Sequence, residues 1–89
     1  DMKKYTSLGE LLQDYREESV ISQADFAASL NVDTRTVQRW ENDQTLIKPE
    51  KEGDIVCETL LPYQLIRNLN AAVPIATYYD FGIRKYSLT

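Results

Sequence analysis

Histidine is absent from this sequence, and Cys57 is its only cysteine. One cysteine cannot close an intramolecular disulfide, and a zinc site needs about four Cys, His or carboxylate ligands. The chain also lacks the usual general base and the usual partner of a Ser or Cys nucleophile. We therefore expect no catalytic residues, no metal site and no cofactor, and we expect Cys57 to be a small buried hydrophobe.

Long apolar runs are absent as well. No run approaches the roughly 18 residues of a membrane span. The first ten residues, DMKKYTSLGE, lack the apolar stretch of a signal peptide. Asp1 stands before Met2, so we expect Met2 to be the natural start. With no disulfide to form, the 89 residues predict one small cytoplasmic domain that has no membrane partner.

The first half of the chain has the pattern of three short helices. The first begins at the capping box Ser7-Leu8-Gly9-Glu10 and continues to about Glu18. Its apolar residues recur at helical spacing: Leu8, Leu11, Leu12 and Tyr15. Ser22 opens the second helix, and Asp33 caps the third, which continues to about Asn42.

Two prolines predict where the remaining helices begin. Pro49 suits the first turn of a fourth helix, and Pro62 ends that helix and begins a fifth. The expected buried face of the fourth helix is Ile55, Val56, Thr59 and Leu60. The expected buried face of the fifth is Leu65, Ile66 and Leu69. Residues 7–70 therefore predict a compact all-α domain of five helices.

The stretch SQADFAASLNVDTRTVQRWEND, residues 22–43, has the spacing of a helix-turn-helix. Small Ala27 lets two helices cross closely, and Asn31 stands where the corner needs a positive φ. Val32 and Val37 are expected to fill the space beneath the corner. Phe26, Leu30 and Trp40 are expected to attach the unit to the remaining helices. This pattern fixes two helices at a steep angle and leaves the second one projecting.

These residues resemble the helix-turn-helix of the Cro/phage-repressor (XRE) family of transcription regulators. The most specific parts are the S-Q-x-x-F/L-A opening at residues 22–27 and the W/L-E-N ending at residues 40–42. Asn31 and Asp43 replace two glycines common in the family. The resemblance spans about Leu8 to Asn70 and implies a five-helix DNA-binding domain with its helix-turn-helix unit at 22–42. It also implies a sequence-specific regulator, taken as a repressor, that binds a double-stranded DNA operator.

In that family the start of the third helix enters the major groove. The resemblance implies DNA base contacts from one exposed face, with Gln38 as an addition: Thr34, Arg35, Gln38 and Arg39. Contacts to the DNA backbone are expected from Gln23, Thr36 and Asn42. Arg16 and Glu41 match a structural ion pair of the family, which fixes helix orientation more than it adds net stability.

The net charge of −4 does not favour a polyanionic partner. Thr34 to Arg39, however, carries two positive charges and no negative one. The acidic excess lies on the first and fourth helices: Asp14, Glu17, Glu18, Glu50, Glu52, Asp54 and Glu58. Since net charge governs long-range attraction and not local complementarity, we expect DNA binding with few phosphate contacts. Useful affinity then requires a homodimer on two half-sites.

Residues 71–89 form a C-terminal extension that holds four of the nine aromatic residues. Alternation at Ile75, Thr77, Tyr79 and Phe81 predicts an extended segment. It could pack on its own domain, form a dimer contact, bind a protein partner or lead into a further domain, since the ending RKYSLT does not resemble a finished domain. Two functional alternatives follow: a protein-interaction module or antitoxin with a repressor-like fold, or the DNA-binding front end of a longer protein.

Overall fold

A computed structural model describes residues 2–71 and 77–82. Its elements in chain order are β1 (Lys3–Tyr5), α1 (Leu8–Ser19), α2 (Gln23–Ser29), α3 (Thr34–Glu41), α4 (Pro49–Thr59), α5 (Tyr63–Asn70) and β2 (Thr77–Tyr79). The five predicted helices and the all-α class are confirmed, with one small sheet added. Within the described ranges, no helix has the length and apolar character needed to cross a bilayer.

Short polar side chains begin the first three helices, as predicted. The side chains of Ser7, Ser22 and Asp33 each accept a hydrogen bond from the backbone amide three residues further on, at 3.1, 3.0 and 2.8 Å. Each bond satisfies an amide that has no partner inside its helix. The helix starts are therefore fixed by local chemistry.

The core forms where α1, α2 and α3 meet α4 and α5. Buried side chains come from every helix and from the loops on either side of α4: Leu11, Leu12, Phe26, Val37, Ile55 and Ile66 from the helices, Ile47 from the loop before α4 and Leu61 from the loop after it. The predicted positive φ of Asn31 is confirmed at 57°. This corner turns the chain sharply between α2 and α3.

Two expectations about α4 were wrong. Leu60 follows the last helical residue with φ of 59° and is 65% exposed, so it does not extend the buried face. Cys57 is exposed. Residues two positions apart in an α-helix are separated by about 200° around its axis. Cys57 therefore faces away from Ile55, which is fully buried.

Gly9 allows α1 to approach the end of α3. A Cβ at this position would lie 2.5 Å from the Trp40 carbonyl oxygen. The Gly9 amide donates to Asp43 Oδ1 at 3.1 Å, and Asp43 has φ of 56°. Asp43 thus takes the left-handed conformation itself, and its side chain also bonds α1, which accounts for the departure from glycine there.

The strand β1, which the sequence did not predict, holds the described part of the C-terminal extension. It pairs antiparallel with β2, with Lys3 opposite Tyr79 and Tyr5 opposite Thr77. Tyr5 is 2% exposed and meets the Phe81 ring edge-on at a centroid distance of 6.4 Å. The described residues of the extension therefore pack on their own domain, whereas Ile75 lies outside the described residues.

Glu52 does not belong to an exposed acidic face, because it is 2% exposed. Its carboxylate accepts from Asn70 Nδ2 at 2.6 Å and from Arg67 Nη1 at 3.3 Å. Asn70 also bonds both backbone groups of Ile47, at 2.9 and 2.8 Å. This cluster ties the loop before α4 to the end of α5.

Candidate nucleic-acid interface

The helix α3 presents two different sides. Val37 and Trp40 point into the core, with exposures of 0% and 5%. Arg35, Gln38 and Arg39 lie on the opposite, exposed side. Since the polar and apolar residues follow the helical period, burying Val37 and Trp40 fixes which side chains face outward.

Neither Arg35 nor Arg39 makes a hydrogen bond or a close ion pair with any residue in the described ranges. An arginine offers five N–H donors in a planar fork that matches two neighbouring acceptors. The two side chains stand one helical turn apart. Both are therefore available to an outside ligand.

An open depression of about 420 Å³ lies along this side of α3. It is lined by Arg35, Gln38, Arg39, Asn42, Gln44 and Thr45. Sequence reasoning missed the last two, which belong to the loop after α3. The Gln44 amide donates to the Arg39 carbonyl at 2.9 Å once Asp43 has turned the chain back. The sequence signal for this turn was Asp43, the aspartate that directly follows W-E-N.

Thr34 and Asn42 mark the two ends of α3. Thr34 is half-buried, and Asn42 is the exposed residue that ends the helix. The Asn42 side chain makes no hydrogen bond inside the described part of the chain. Its amide thus stays available at the rim of the depression.

Thr36, predicted to contact the DNA backbone, has its hydroxyl engaged at the start of the helix. Thr36 Oγ1 donates to Asp33 Oδ1 at 2.8 Å, beside the bond from the Thr36 amide. These hydrogen bonds, aided by the positive charges of Arg39 and Arg35, lower the pKa of Asp33 below 3.8. Thr36 can donate its hydroxyl proton to a phosphate only by giving up this bond.

Arg16 and Glu41 lie in direct contact beneath the helix-turn-helix. Arg16 Nε and Nη2 donate to the two Glu41 oxygens at 2.7 and 2.9 Å, and Arg16 Nη1 donates to the Ile21 carbonyl at 3.1 Å. The side chains are 15% and 4% exposed. The hydrogen bond to Glu41 raises the pKa of Arg16 further above its ordinary value. The pair is part of the scaffold.

Gln23 joins this pair from the first residue of α2. Its Nε2 donates to Glu41 Oε1 at 3.1 Å. One amide proton is therefore used on the scaffold, and the other remains available because the amide carries two. Gln23 connects the start of α2 to the end of α3.

Two lysines also lie near α3, and sequence reasoning did not single them out. Lys48 and Lys51 line a second depression of about 410 Å³ together with Arg39. Lys51 Nζ donates to the Leu30 carbonyl at 3.0 Å and lies 3.4 Å from Asp54. Lys48 is exposed. These residues widen the positive region beyond α3.

A model of the helix-turn-helix family matches residues 12–51, which include the whole of α2 and α3. The chain carries a helix-turn-helix domain of the Cro/phage-repressor (XRE) type. Domains of this type are DNA-binding domains of transcription regulators. A search of curated proteins finds no match to the chain.

In this XRE-type domain the matched segment contains every residue that the sequence analysis singled out as a DNA contact. It also contains both members of the Arg16–Glu41 pair and the turn at Gln44 and Thr45. The sheet and α5 lie outside the match. The family match therefore covers the candidate interface, whereas the sheet and α5 are held by the chain's own contacts.

Proposed function

We propose that this protein binds a specific double-stranded DNA operator as a homodimer and represses transcription in the cytoplasm of a bacterial or phage system. No catalytic step belongs to this proposal. The observation that carries it is that Arg35 and Arg39, on one exposed side of α3, have no hydrogen-bond or ion-pair partner among residues 2–71 and 77–82. A helix whose other side is fully packed presents them in a fixed orientation.

Each contact has a chemical reason. Arg35 and Arg39 can each donate two hydrogen bonds to guanine O6 and N7 in the major groove. Gln38 can pair in the same way with adenine, and Thr34 can contact a thymine methyl group or a phosphate. The adjoining Gln44 and Thr45 extend this surface beyond the end of α3.

The DNA backbone is expected to lie against the first turn of α2 and the last turn of α3. The second amide proton of Gln23 and the free amide of Asn42 are the proposed donors there. Thr36 is the least suited of the predicted backbone contacts, since its hydroxyl is bonded to Asp33. Such contacts set register and carry no sequence information themselves.

Few of these groups neutralise phosphates, and acidic residues outnumber basic ones in the chain as a whole. The exposed carboxylates Glu50, Asp54 and Glu58 lie on α4. Non-specific binding should therefore be weak, with a shallow salt dependence of about three to five ions released per monomer. Two copies on half-sites about one helical turn apart would supply the remaining affinity.

Selection of binding sites from a random double-stranded DNA pool at low salt tests the proposal. We expect a short enriched motif with two-fold symmetry whose half-site spacing gives the geometry of the dimer. A folded sample that enriches no motif would contradict sequence-specific binding and favour a protein-interaction module. A control selection with Arg39→Ala should change one base position in each half-site.

A further inference from the structure

Asp33 is a carboxylate at the start of the helix proposed to enter the major groove. It caps α3 through one oxygen only: Oδ1 accepts from the Thr36 amide and from Thr36 Oγ1, both at 2.8 Å. Oδ2 accepts no hydrogen bond from any residue in ranges 2–71 and 77–82. The residue is exposed, so one acceptor oxygen remains available to a ligand.

This oxygen carries negative charge at neutral pH. The two hydrogen bonds from Thr36, with a smaller effect of Arg39 and Arg35, hold the pKa of Asp33 below 3.8. Protonation therefore does not turn the carboxyl into a donor under physiological conditions. The side chain can only accept hydrogen bonds, and it repels phosphates.

The four bases differ in what they show such an acceptor in the major groove. Cytosine presents the N4 amino donor and no acceptor. Adenine presents its N6 donor beside the N7 acceptor, guanine presents two acceptors, and thymine presents O4 and a methyl group. A fixed carboxylate oxygen therefore favours cytosine over adenine and disfavours guanine and thymine.

We infer that Asp33 is a specificity-determining residue that accepts a hydrogen bond from the N4 amino group of a cytosine in each half-site. This inference rests on the proposed function, because it needs α3 in the major groove. The same charge opposes binding to arbitrary DNA, where the carboxylate would face a phosphate or a guanine edge. The cap and the base contact use different oxygens of one side chain, so the two roles do not compete.

Two capping-competent substitutions test the inference without removing the helix cap. In Asp33→Asn the side-chain oxygen keeps the Thr36 bond, and the outward group becomes an N–H donor. In Asp33→Ser the hydroxyl caps the helix and is too short to reach a base. Asn and Ser are both favoured at this position, so both variants should fold.

The measurement is site selection with the wild-type protein and both variants, followed by binding of each to the wild-type motif. We expect Asp33→Asn to replace cytosine by an acceptor-bearing base, to bind the wild-type motif about tenfold more weakly and to bind scrambled DNA more tightly. Asp33→Ser should lose the cytosine preference and gain no other. An unchanged cytosine position in both folded variants would overturn the inference, as would a wild-type motif with no cytosine preference.

Failure of this inference is distinguishable from failure of the proposed function. If the wild-type protein selects no motif, the proposed function is wrong. If it selects a motif that Arg39→Ala relaxes and the Asp33 variants leave intact, the proposed function stands and Asp33 is only a helix cap.

Discussion

The described arginines fall into two pairs with opposite surroundings. Arg16 and Arg67 contact the buried carboxylates of Glu41 and Glu52. Arg35 and Arg39 contact no carboxylate at ion-pair distance among the residues that the structure describes. Arginine thus holds a buried carboxylate in one region, and in the other it keeps its donors unpaired within the part of the chain that the structure describes.

This difference explains how a protein with a net charge of −4 can present a positively charged surface on α3. Glu41 and Glu52 are 9% and 2% exposed, and each lies against an arginine. Each of these carboxylates is therefore largely neutralised by its own arginine. The positive charges of α3 instead give the solvent-facing surface a positive potential. The location of each charge matters more here than the total.

The largest expected effect is a loss of stability on removing Glu41, the buried partner of Arg16. Glu41→Ala leaves the Arg16 guanidinium and the Gln23 amide without their acceptor in a mostly buried site. We expect the free energy of unfolding to fall by about 3 kcal/mol, because an unpaired buried charge costs more than the pair gains. Urea unfolding monitored by circular dichroism measures this change. A loss below about 0.5 kcal/mol would show that the pair is not structural.

The next effect should appear in DNA binding and not in stability. Arg39→Ala should weaken binding to the selected site by about 1–3 kcal/mol and relax one base position. Its unfolding free energy should change by less than about 0.5 kcal/mol, since the side chain is exposed and bonds to none of the described residues. Fluorescence anisotropy with a labelled duplex gives the first quantity. Equal affinities of the folded variant and the wild-type protein would remove Arg39 from the interface.

A smaller loss of stability is expected on removing Arg67, the half-exposed partner of Glu52. Arg67→Ala removes one partner of Glu52, but Asn70 still donates to the carboxylate at 2.6 Å, and water can reach the site because the Arg67 side chain is 48% exposed. We expect a loss of about 1 kcal/mol in urea unfolding. A loss as large as that of Glu41→Ala would show that Arg67 contributes as much as Arg16, and the two ion pairs would then be equivalent.

The smallest effect concerns the pH dependence of Asp33. Its pKa in the folded protein is below 3.8, so its contribution to stability is present above that value and is lost as the pH falls through the folded pKa. As the pH falls below about 4, Asp33→Ser should therefore lose slightly less stability than the wild-type protein in acid unfolding. Identical acid unfolding curves for the variant and the wild-type protein would mean that the hydrogen bonds from Thr36 to the Asp33 carboxylate do not stabilise the folded protein.

Features set by neighbouring residues were predictable from the sequence. The caps at Ser7, Ser22 and Asp33 and the corner at Asn31 depend on residues within four positions of each other. The exposed side of α3 follows from the helical spacing of Val37 and Trp40. Most of the candidate interface rests on such local patterns.

Features set by distant residues were missed. The strand β1 exists because Lys3–Tyr5 meets Thr77–Tyr79, more than 70 positions later, and its short sequence carries no strong signal. Glu52 resembles a helix-start carboxylate, yet Asn70 and Arg67 draw it into the interior. These contacts depend on how α5 packs, which the local sequence does not specify.

One measurement tests the central claim most directly. The dissociation constant of the Arg35→Ala/Arg39→Ala double variant for the selected duplex is compared with that of the wild-type protein at one salt concentration. Our account predicts a loss of affinity of about 100-fold or more, with the thermal unfolding midpoint unchanged. Equal dissociation constants for the two folded proteins would contradict it.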